Sequence, residues 1–224
     1  EGVFRCCRMA EICPETVKLT HIGYGTMNGK DVKPFKTRSG DTIKLQDIIE
    51  MVKSKAQEKL SSNGVKEDSD KLALDIGVSA MKFGDLSNDV SRDYVFDLDN
   101  FMSFEGKTGP YLQYTAVRIN SILQKAGQFN REISYANNEI KDILIELLKL
   151  IDAYAIALTN YSPSVICNSL YGLSSAYSTF YNNVKIISEP DASKKNTYLT
   201  LSEIVYNAIC DGLNCLAITV PEKM

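Results

Sequence analysis

The chain has 224 residues and a mass of 24.9 kDa, with 44% hydrophobic and 24% charged residues, which are the proportions of an ordinary globular protein. No run of 18 uncharged apolar residues occurs, so we expect no membrane span. No apolar stretch follows Glu1, which argues against a signal peptide. The sequence lacks an initiator Met and begins in mid-pattern, so we expect a piece of a longer protein.

The net charge is −3, and the sequence contains one His and six Cys. Residues 1–44 carry +3, residues 45–110 carry −5 and residues 111–224 carry −1. The chain as a whole therefore lacks the basic footprint of most nucleic-acid-binding proteins. The Cys residues are too sparse for a disulfide framework and form no C-x-x-C pair, and a single His argues against a zinc site. We expect no metal site and a reducing, cytoplasmic environment.

Hydrophobic periodicity predicts one strand followed by helices. The strand is predicted over residues 17–24, and a Gly-rich basic loop follows over residues 25–40. Long helices joined by short polar links are typical of a helical bundle. The predicted helices cover residues 47–60, a segment from about 69, a segment from 111, then 140–158, 163–182 and 197–217, with a loop over 183–196.

The longest apolar helical pattern lies in residues 140–158. From this pattern we expect the helix to bury a stripe of four side chains. They are Leu144, Leu147, Leu148 and Ile151.

The segment from Lys33 to Gly40 is a basic loop that ends in glycine. Lys and Arg side chains neutralise phosphate charge, while backbone N–H and hydroxyl groups donate hydrogen bonds to it. Many solvated surface loops have the same composition. The segment taken alone therefore leaves both interpretations open.

Three stretches in this region closely resemble arginyl-tRNA synthetase: His21–Met27, Gly29–Asp31 and Lys36–Thr42. In that family the segment occupies the place of the KMSKS loop of class I synthetases. The resemblance implies that the loop contacts ATP phosphates and stabilises the pentavalent α-phosphate as the arginine carboxylate attacks. The residues it assigns to this catalytic role are Lys36, Thr37, Arg38 and Ser39.

The resemblance continues in order through Ile76–Leu86, Asp93–Asp97, Ser103–Tyr114 and Ile218–Met224, and so spans essentially all 224 residues. It implies a mainly α chain: the end of a class I Rossmann-type catalytic domain, then an all-α anticodon-binding bundle of the DALR type. The implied domains are residues 1–44 with the KMSKS-like loop, 45–92 as a helical connector and 93–224 as the anticodon-binding domain.

Tyr114 and Arg118 are four residues apart, so a helix places them on one face. A ring and a guanidinium there can stack a base and hold a phosphate, but a packing Tyr beside a solvated Arg has the same spacing. The resemblance favours the first interpretation, because the family receives splayed anticodon bases with this pair, with the Tyr matching Tyr181 and with the C-terminal residue, here Met224. Ser121 lies one turn beyond Arg118 on the same face, and Lys185, one turn after Tyr181, is expected to contact a phosphate.

The resemblance implies a parent arginine–tRNA ligase, which activates arginine with ATP and Mg²⁺ and esterifies it to tRNA-Arg. In the family, the HIGH motif and the arginine pocket lie upstream of the matching segment. We therefore expect the 224-residue chain alone to be inactive, and we favour a monomer. Two alternatives remain at this stage: a non-catalytic helical module that binds tRNA or protein, and a paralogue that has lost catalysis.

Overall fold

A computed structural model describes residues 1–29, 44–62, 69–134 and 137–224 of the chain. Within these residues no helix combines the length and the hydropathy needed to cross a membrane. The described elements are α1 (Gly2–Met9), β1 (Met27–Asn28), α2 (Leu45–Ser62), α3 (Ser69–Leu86), β2 (Tyr94–Val95), α4 (Leu98–Phe101), α5 (Gly109–Ala126), α6 (Asn138–Asn160), α7 (Pro163–Asn183) and α8 (Ala192–Cys215).

The strand predicted over residues 17–24 is wrong. Val17, Ile22 and Tyr24 are exposed, and this segment lies outside the described strands. An alternating β-former pattern stabilises a strand only where it packs on a pleated, half-buried surface. Here Arg8 binds the Val17 carbonyl oxygen with its guanidinium at 2.5 Å instead.

The short sheet lies a few residues further along the chain and joins the N-terminal segment to the chain after α3. β1 pairs in parallel with β2, with Met27 opposite Tyr94. The Thr26 N–H also donates to the Asp93 carboxylate at 2.7 Å, and this bond lowers the pKa of Asp93. A Cβ at Gly25 would lie 2.2 Å from the Arg92 carbonyl, so only glycine allows this approach.

Helices α2 and α3 form a hairpin with its own small core. Ala56, Ile76 and Met102 are buried in it, and Gly77 lets the backbone of α3 approach the backbone of Val52. Phe83, near the end of α3, is buried in the larger core instead. Helix α3 therefore belongs to both cores and connects the N-terminal elements to the bundle.

Helices α5 to α8 enclose the larger core, and local capping residues determine where they begin. Thr108 caps α5 by accepting from the Tyr111 N–H at 3.2 Å, and Pro110 follows at the first turn. The Asp191 carboxylate accepts from the N–H groups of Ser193 and Lys194, so α8 begins at Ala192. That is five residues before the predicted start, because the Asp191 cap lies inside the segment predicted as a loop.

The face of α6 that packs into the core differs from the predicted one. Ile140, Ile143, Leu150 and Ala153 are buried, whereas Leu144, Leu148 and Ile151 are 38%, 64% and 65% exposed. Of the four predicted core residues, only Leu147 packs against the core, and it is partly buried. Apolar residues cover two adjacent stripes of this helix, and contact with α7 selects which one is buried.

Replacing Leu148 by alanine is therefore expected to change the free energy of unfolding by no more than about 0.5 kcal/mol. Leu150→Ala, two residues further along the same helix, should cost at least about 2 kcal/mol because Leu150 is buried. Chemical denaturation of the two variants measures the difference. Equal losses would contradict the orientation of α6.

Candidate nucleic-acid interface

The residues predicted to contact ATP, Lys36, Thr37, Arg38 and Ser39, lie outside the described residues. Their predicted role rests on the sequence. The site that the structure does describe lies between α5, α7 and the C-terminal tail.

An arginine held between two tyrosines forms the centre of this site. Arg118 of α5 donates from Nη2 to the Tyr114 hydroxyl at 2.6 Å, and its Cζ lies 4.6 Å from the Tyr114 ring centroid. The same guanidinium carbon lies 5.3 Å from the ring centroid of Tyr181 on α7. Both rings remain partly accessible, with Tyr114 38% and Tyr181 36% exposed. These are cation–π distances, so the guanidinium and the two rings hold one another in place.

A buried layer under Tyr181 supports this arrangement. Tyr177 lies one turn earlier on α7, is 1% exposed and donates its hydroxyl to the Ser202 Oγ at 2.8 Å. Burial raises the pKa of Tyr177 to about 12, so the hydroxyl remains neutral at physiological pH. Phe180 is buried against Tyr177 and Tyr198. Tyr181 therefore projects outward from a rigid part of α7.

Tyr114 and Arg118 line an open cavity of about 670 Å³ between the bundle and the α2–α3 hairpin. Three apolar side chains form another part of its wall: Leu60, Phe104 and Met224. The polar groups are hydroxyls and two side chains of opposite charge. These polar residues are Tyr111, Thr115, Ser178, Glu105 and Arg118.

The C-terminal tail reaches the cavity because several contacts hold it after α8 ends. Ala217 adopts a left-handed φ of 54°, and Ile218 is 4% exposed. The Gln113 Nε2 then donates to the Thr219 carbonyl at 2.6 Å. Met224 finally packs against the α2–α3 core. The last residue thus closes one side of the cavity, as a flexible apolar side chain can.

The structure brings together four of the six residues predicted to bind tRNA: Tyr114, Arg118, Tyr181 and Met224. Ser121 is exposed on α5 beyond Arg118, and Lys185 is exposed after the end of α7. Neither of these two lines the cavity, and Tyr181 does not line it either but joins the site through its contact with Arg118.

Sequence reasoning did not assign several residues that border the cavity. Phe104 and Glu105 lie inside the quoted motif Ser103–Tyr114, but no spacing argument connects them to Arg118. Helical spacing could have suggested two of them, because Tyr111 lies three residues before Tyr114 and Ser178 lies three residues before Tyr181. Their hydroxyls are 3.1 Å apart and bridge α5 to α7.

No group of three or more His, Cys, Asp or Glu side chains within the described ranges could hold a metal ion. What the site offers is aromatic faces, a cation and a mixed set of hydrogen-bonding groups around an open cavity. These groups suit a flat, polar ring of nucleobase type.

Two family models match the chain. The model described as "DALR anticodon binding domain" matches residues 112–224, and the model described as "tRNA synthetases class I (R), catalytic domain" matches residues 1–98. The predicted fold class is confirmed: a mainly α chain with the end of a class I catalytic domain before an anticodon-binding helical domain.

Relatives of known name match over almost the whole chain. An arginine–tRNA ligase of Alkaliphilus oremlandii is 40% identical over 100% of this chain and 39% of its own length. One from Agathobacter rectalis is 37% identical over 99% of this chain and 40% of its own length. The chain therefore spans about 39% of the length of the curated relatives it matches.

Two solved structures share the fold. An arginyl-tRNA synthetase of Thermus thermophilus superposes with a TM-score of 0.83, at 24% identity, over 91% of this chain and 35% of that one. One from Plasmodium falciparum gives a TM-score of 0.79, at 23% identity, over 100% of this chain and 38% of that one. The chain belongs to the arginyl-tRNA synthetase family, of which it carries the end of the class I catalytic domain and the DALR anticodon-binding domain.

Proposed function

We propose that this chain is the tRNA-reading part of an arginine–tRNA ligase, which activates arginine with ATP and esterifies it to tRNA-Arg. The observation that supports this most directly is the Tyr114–Arg118–Tyr181 cluster at an open cavity. A splayed anticodon base stacks on such rings, while the guanidinium attracts the neighbouring phosphate. The net charge of −1 over residues 111–224 suits recognition by stacking and groove contacts rather than by a broad basic surface.

Within this proposal the base-binding residues are Tyr114, Arg118, Tyr181 and Met224. Ser121 and Lys185 are exposed outside the cavity, and we propose that both contact phosphates of the RNA backbone. The domain boundaries that we propose are residues 1–44, 45–92 and 93–224.

The catalytic part of the proposal concerns Lys36, Thr37, Arg38 and Ser39. In this role they stabilise the charge that develops on the ATP phosphates, with Mg²⁺ bound to the nucleotide. Because the chain spans about 39% of the length of its relatives, we expect it to catalyse neither step alone. All six cysteines are free, which supports a reducing, cytoplasmic environment, and we retain the monomer as our expectation.

The first test is a binding titration of this chain with tRNA-Arg and with the same tRNA changed at the middle anticodon base, at a stated salt concentration. A clear preference for the unchanged tRNA supports an anticodon reader. Binding without preference would favour the alternative of a non-catalytic tRNA-binding module. Absence of binding would contradict the proposal for this chain.

Replacing Tyr181 by alanine is expected to weaken tRNA-Arg binding by about 1–3 kcal/mol, the usual contribution of a base stacked on an aromatic ring. The variant should remain folded because Tyr181 is at the surface. The measurement is the dissociation constant for tRNA-Arg. Tyr24→Ala removes another exposed tyrosine away from this cavity and should leave that constant unchanged. An unaltered constant for Tyr181→Ala would remove Tyr181 from the site.

A further inference from the structure

Glu105 is the one acidic side chain among the described residues that line the Tyr114–Arg118 cavity. Its side chain is exposed and has no hydrogen-bond or ion-pair partner among the described residues. A carboxylate accepts hydrogen bonds and cannot donate them when ionised. It therefore gives this wall of the cavity a chemical character opposite to that of Arg118.

The backbone around Glu105 is held by local hydrogen bonds. The Glu105 N–H donates to the Ser103 Oγ at 3.1 Å, and the Thr108 Oγ1 donates to the Ser103 carbonyl at 2.5 Å. Gly106 turns the chain with a φ of 76°, which a residue with a side chain rarely adopts. The Glu105 side chain thus extends from a backbone turn that is already formed before a base binds.

The main free donor of the cavity is Arg118, which has further N–H groups besides the one bonded to Tyr114. The Thr115 hydroxyl already donates to the Tyr111 carbonyl at 2.9 Å, and the Tyr111 and Ser178 hydroxyls bond to each other at 3.1 Å. A base that fits these groups presents a donor to Glu105 and an acceptor to Arg118. Cytosine has this arrangement, with its N4 amino group as donor and N3 and O2 as acceptors. Uracil presents the O4 acceptor where cytosine has the amino group, so its O4 would face the carboxylate.

We propose that Glu105 determines base specificity in this cavity by accepting a hydrogen bond from the exocyclic amino group of cytosine and repelling the O4 of uracil. This inference rests on the proposed function, since it assumes that the cavity receives an anticodon base. All arginine codons have G as their middle base, so the middle base of every tRNA-Arg anticodon is C. The cavity volume of about 670 Å³ also admits a purine, so size does not select the base, and the proposed selection is of cytosine over uracil by hydrogen bonding.

The experiment measures dissociation constants of this chain for two tRNA-Arg transcripts, with C or U at the middle anticodon position. The unmodified chain should prefer C by roughly 5- to 150-fold, the range for a good direct contact with a base edge. Glu105→Gln should bring the two constants to within about threefold of each other, because an amide can accept from N4 or donate to O4. Glu105→Asp retains a carboxylate and should retain part of the preference.

Two controls distinguish a change in base specificity from a general effect of net charge on tRNA binding and from a loss of folding. Asp142→Asn removes one exposed carboxylate from α6, which does not border the cavity. It should strengthen binding of both transcripts equally and leave their ratio unchanged. The melting temperature of Glu105→Gln should stay within about 2 °C of the unmodified chain, because the carboxylate is exposed.

The outcomes distinguish the two proposals. A C-over-U ratio that falls at least threefold in Glu105→Gln supports the role of Glu105. A smaller change, with the preference intact, overturns that role and leaves the anticodon-reading function standing. If the unmodified chain shows no preference at all, both proposals fail.

Discussion

Replacing Phe180 by alanine is expected to lower the free energy of unfolding by about 3–5 kcal/mol. Phe180 is 3% exposed, and its ring centroid lies 5.7 Å from that of Tyr177 and 5.3 Å from that of Tyr198. Truncation removes both ring contacts and leaves a cavity where α7 meets α8. For a chain of this size the melting temperature should fall by roughly 6–20 °C, which thermal unfolding followed by circular dichroism measures.

Tyr181→Ala is the matched control, because the two aromatic residues are neighbours on α7 and point in different directions. Tyr181 is 36% exposed, so its truncation should have a small effect on stability. For tRNA binding we expect the opposite order of effects. Tyr181→Ala should weaken binding more than Phe180→Ala does, because Tyr181 contacts Arg118 and Phe180 does not. A Phe180→Ala variant that melts with the unmodified chain would contradict the described core.

Replacing Arg38 by alanine should lower the rate of adenylate formation by about 10²- to 10³-fold, the usual cost of losing one stabilising donor. The experiment uses the proposed arginine–tRNA ligase, in which this chain is joined to the rest of a catalytic domain. A guanidinium on the phosphates interacts most strongly with the charge that develops in the transition state. The measurement is single-turnover adenylate formation with arginine, ATP, Mg²⁺ and tRNA-Arg present, alongside the dissociation constant for tRNA-Arg.

Lys44→Ala supplies the control for this prediction. Lys44 is exposed immediately before α2 and lies outside the KMSKS-like stretch, so the variant removes the same charge a few residues away. Its adenylation rate should stay within about threefold of the unmodified enzyme. The tRNA affinity of Arg38→Ala should also change little. Equal losses in rate and affinity would argue against a transition-state role for Arg38.

The helices could be predicted from the sequence because their signals are local. Thr108 with Pro110 marks the start of α5, Pro163 marks the start of α7, and both are capping or first-turn positions. The start of α8 was placed too late because the cap, Asp191, lies within a run of charged residues that resembles a loop. Local chemistry therefore predicted which segments are helical better than where each one begins.

The buried face of α6 could not be obtained in the same way. Its apolar residues occupy two adjacent stripes, and both satisfy helical periodicity. Leu150 is buried and Leu148 is exposed because α7 covers one stripe only. The strand predicted over residues 17–24 failed for a related reason, since alternation in sequence does not supply a partner strand.

Some residues of the site could likewise be predicted from local spacing, whereas others are brought together only by the packing of helices. Tyr114 and Arg118 were paired from their spacing alone, and their hydrogen bond and ring contact agree with that pairing. Tyr181 reaches Arg118 because α7 packs beside α5, and the resemblance to arginyl-tRNA synthetase was needed to group it with them. Glu105 lies in the matching motif, but its position on the cavity wall follows from the turn at Gly106.

The sequence by itself determined the helical character of the chain, the Tyr114–Arg118 pair and, through ordered motifs, the family. These depend on hydrogen bonds and side-chain spacing within a few residues, which the sequence contains directly. The tertiary structure decided which stripe of α6 is buried, how Met224 returns to α2 and α3, and that Glu105 and Arg118 border one cavity. These features join residues far apart in the chain, and only the packing of whole helices against one another brings such residues together.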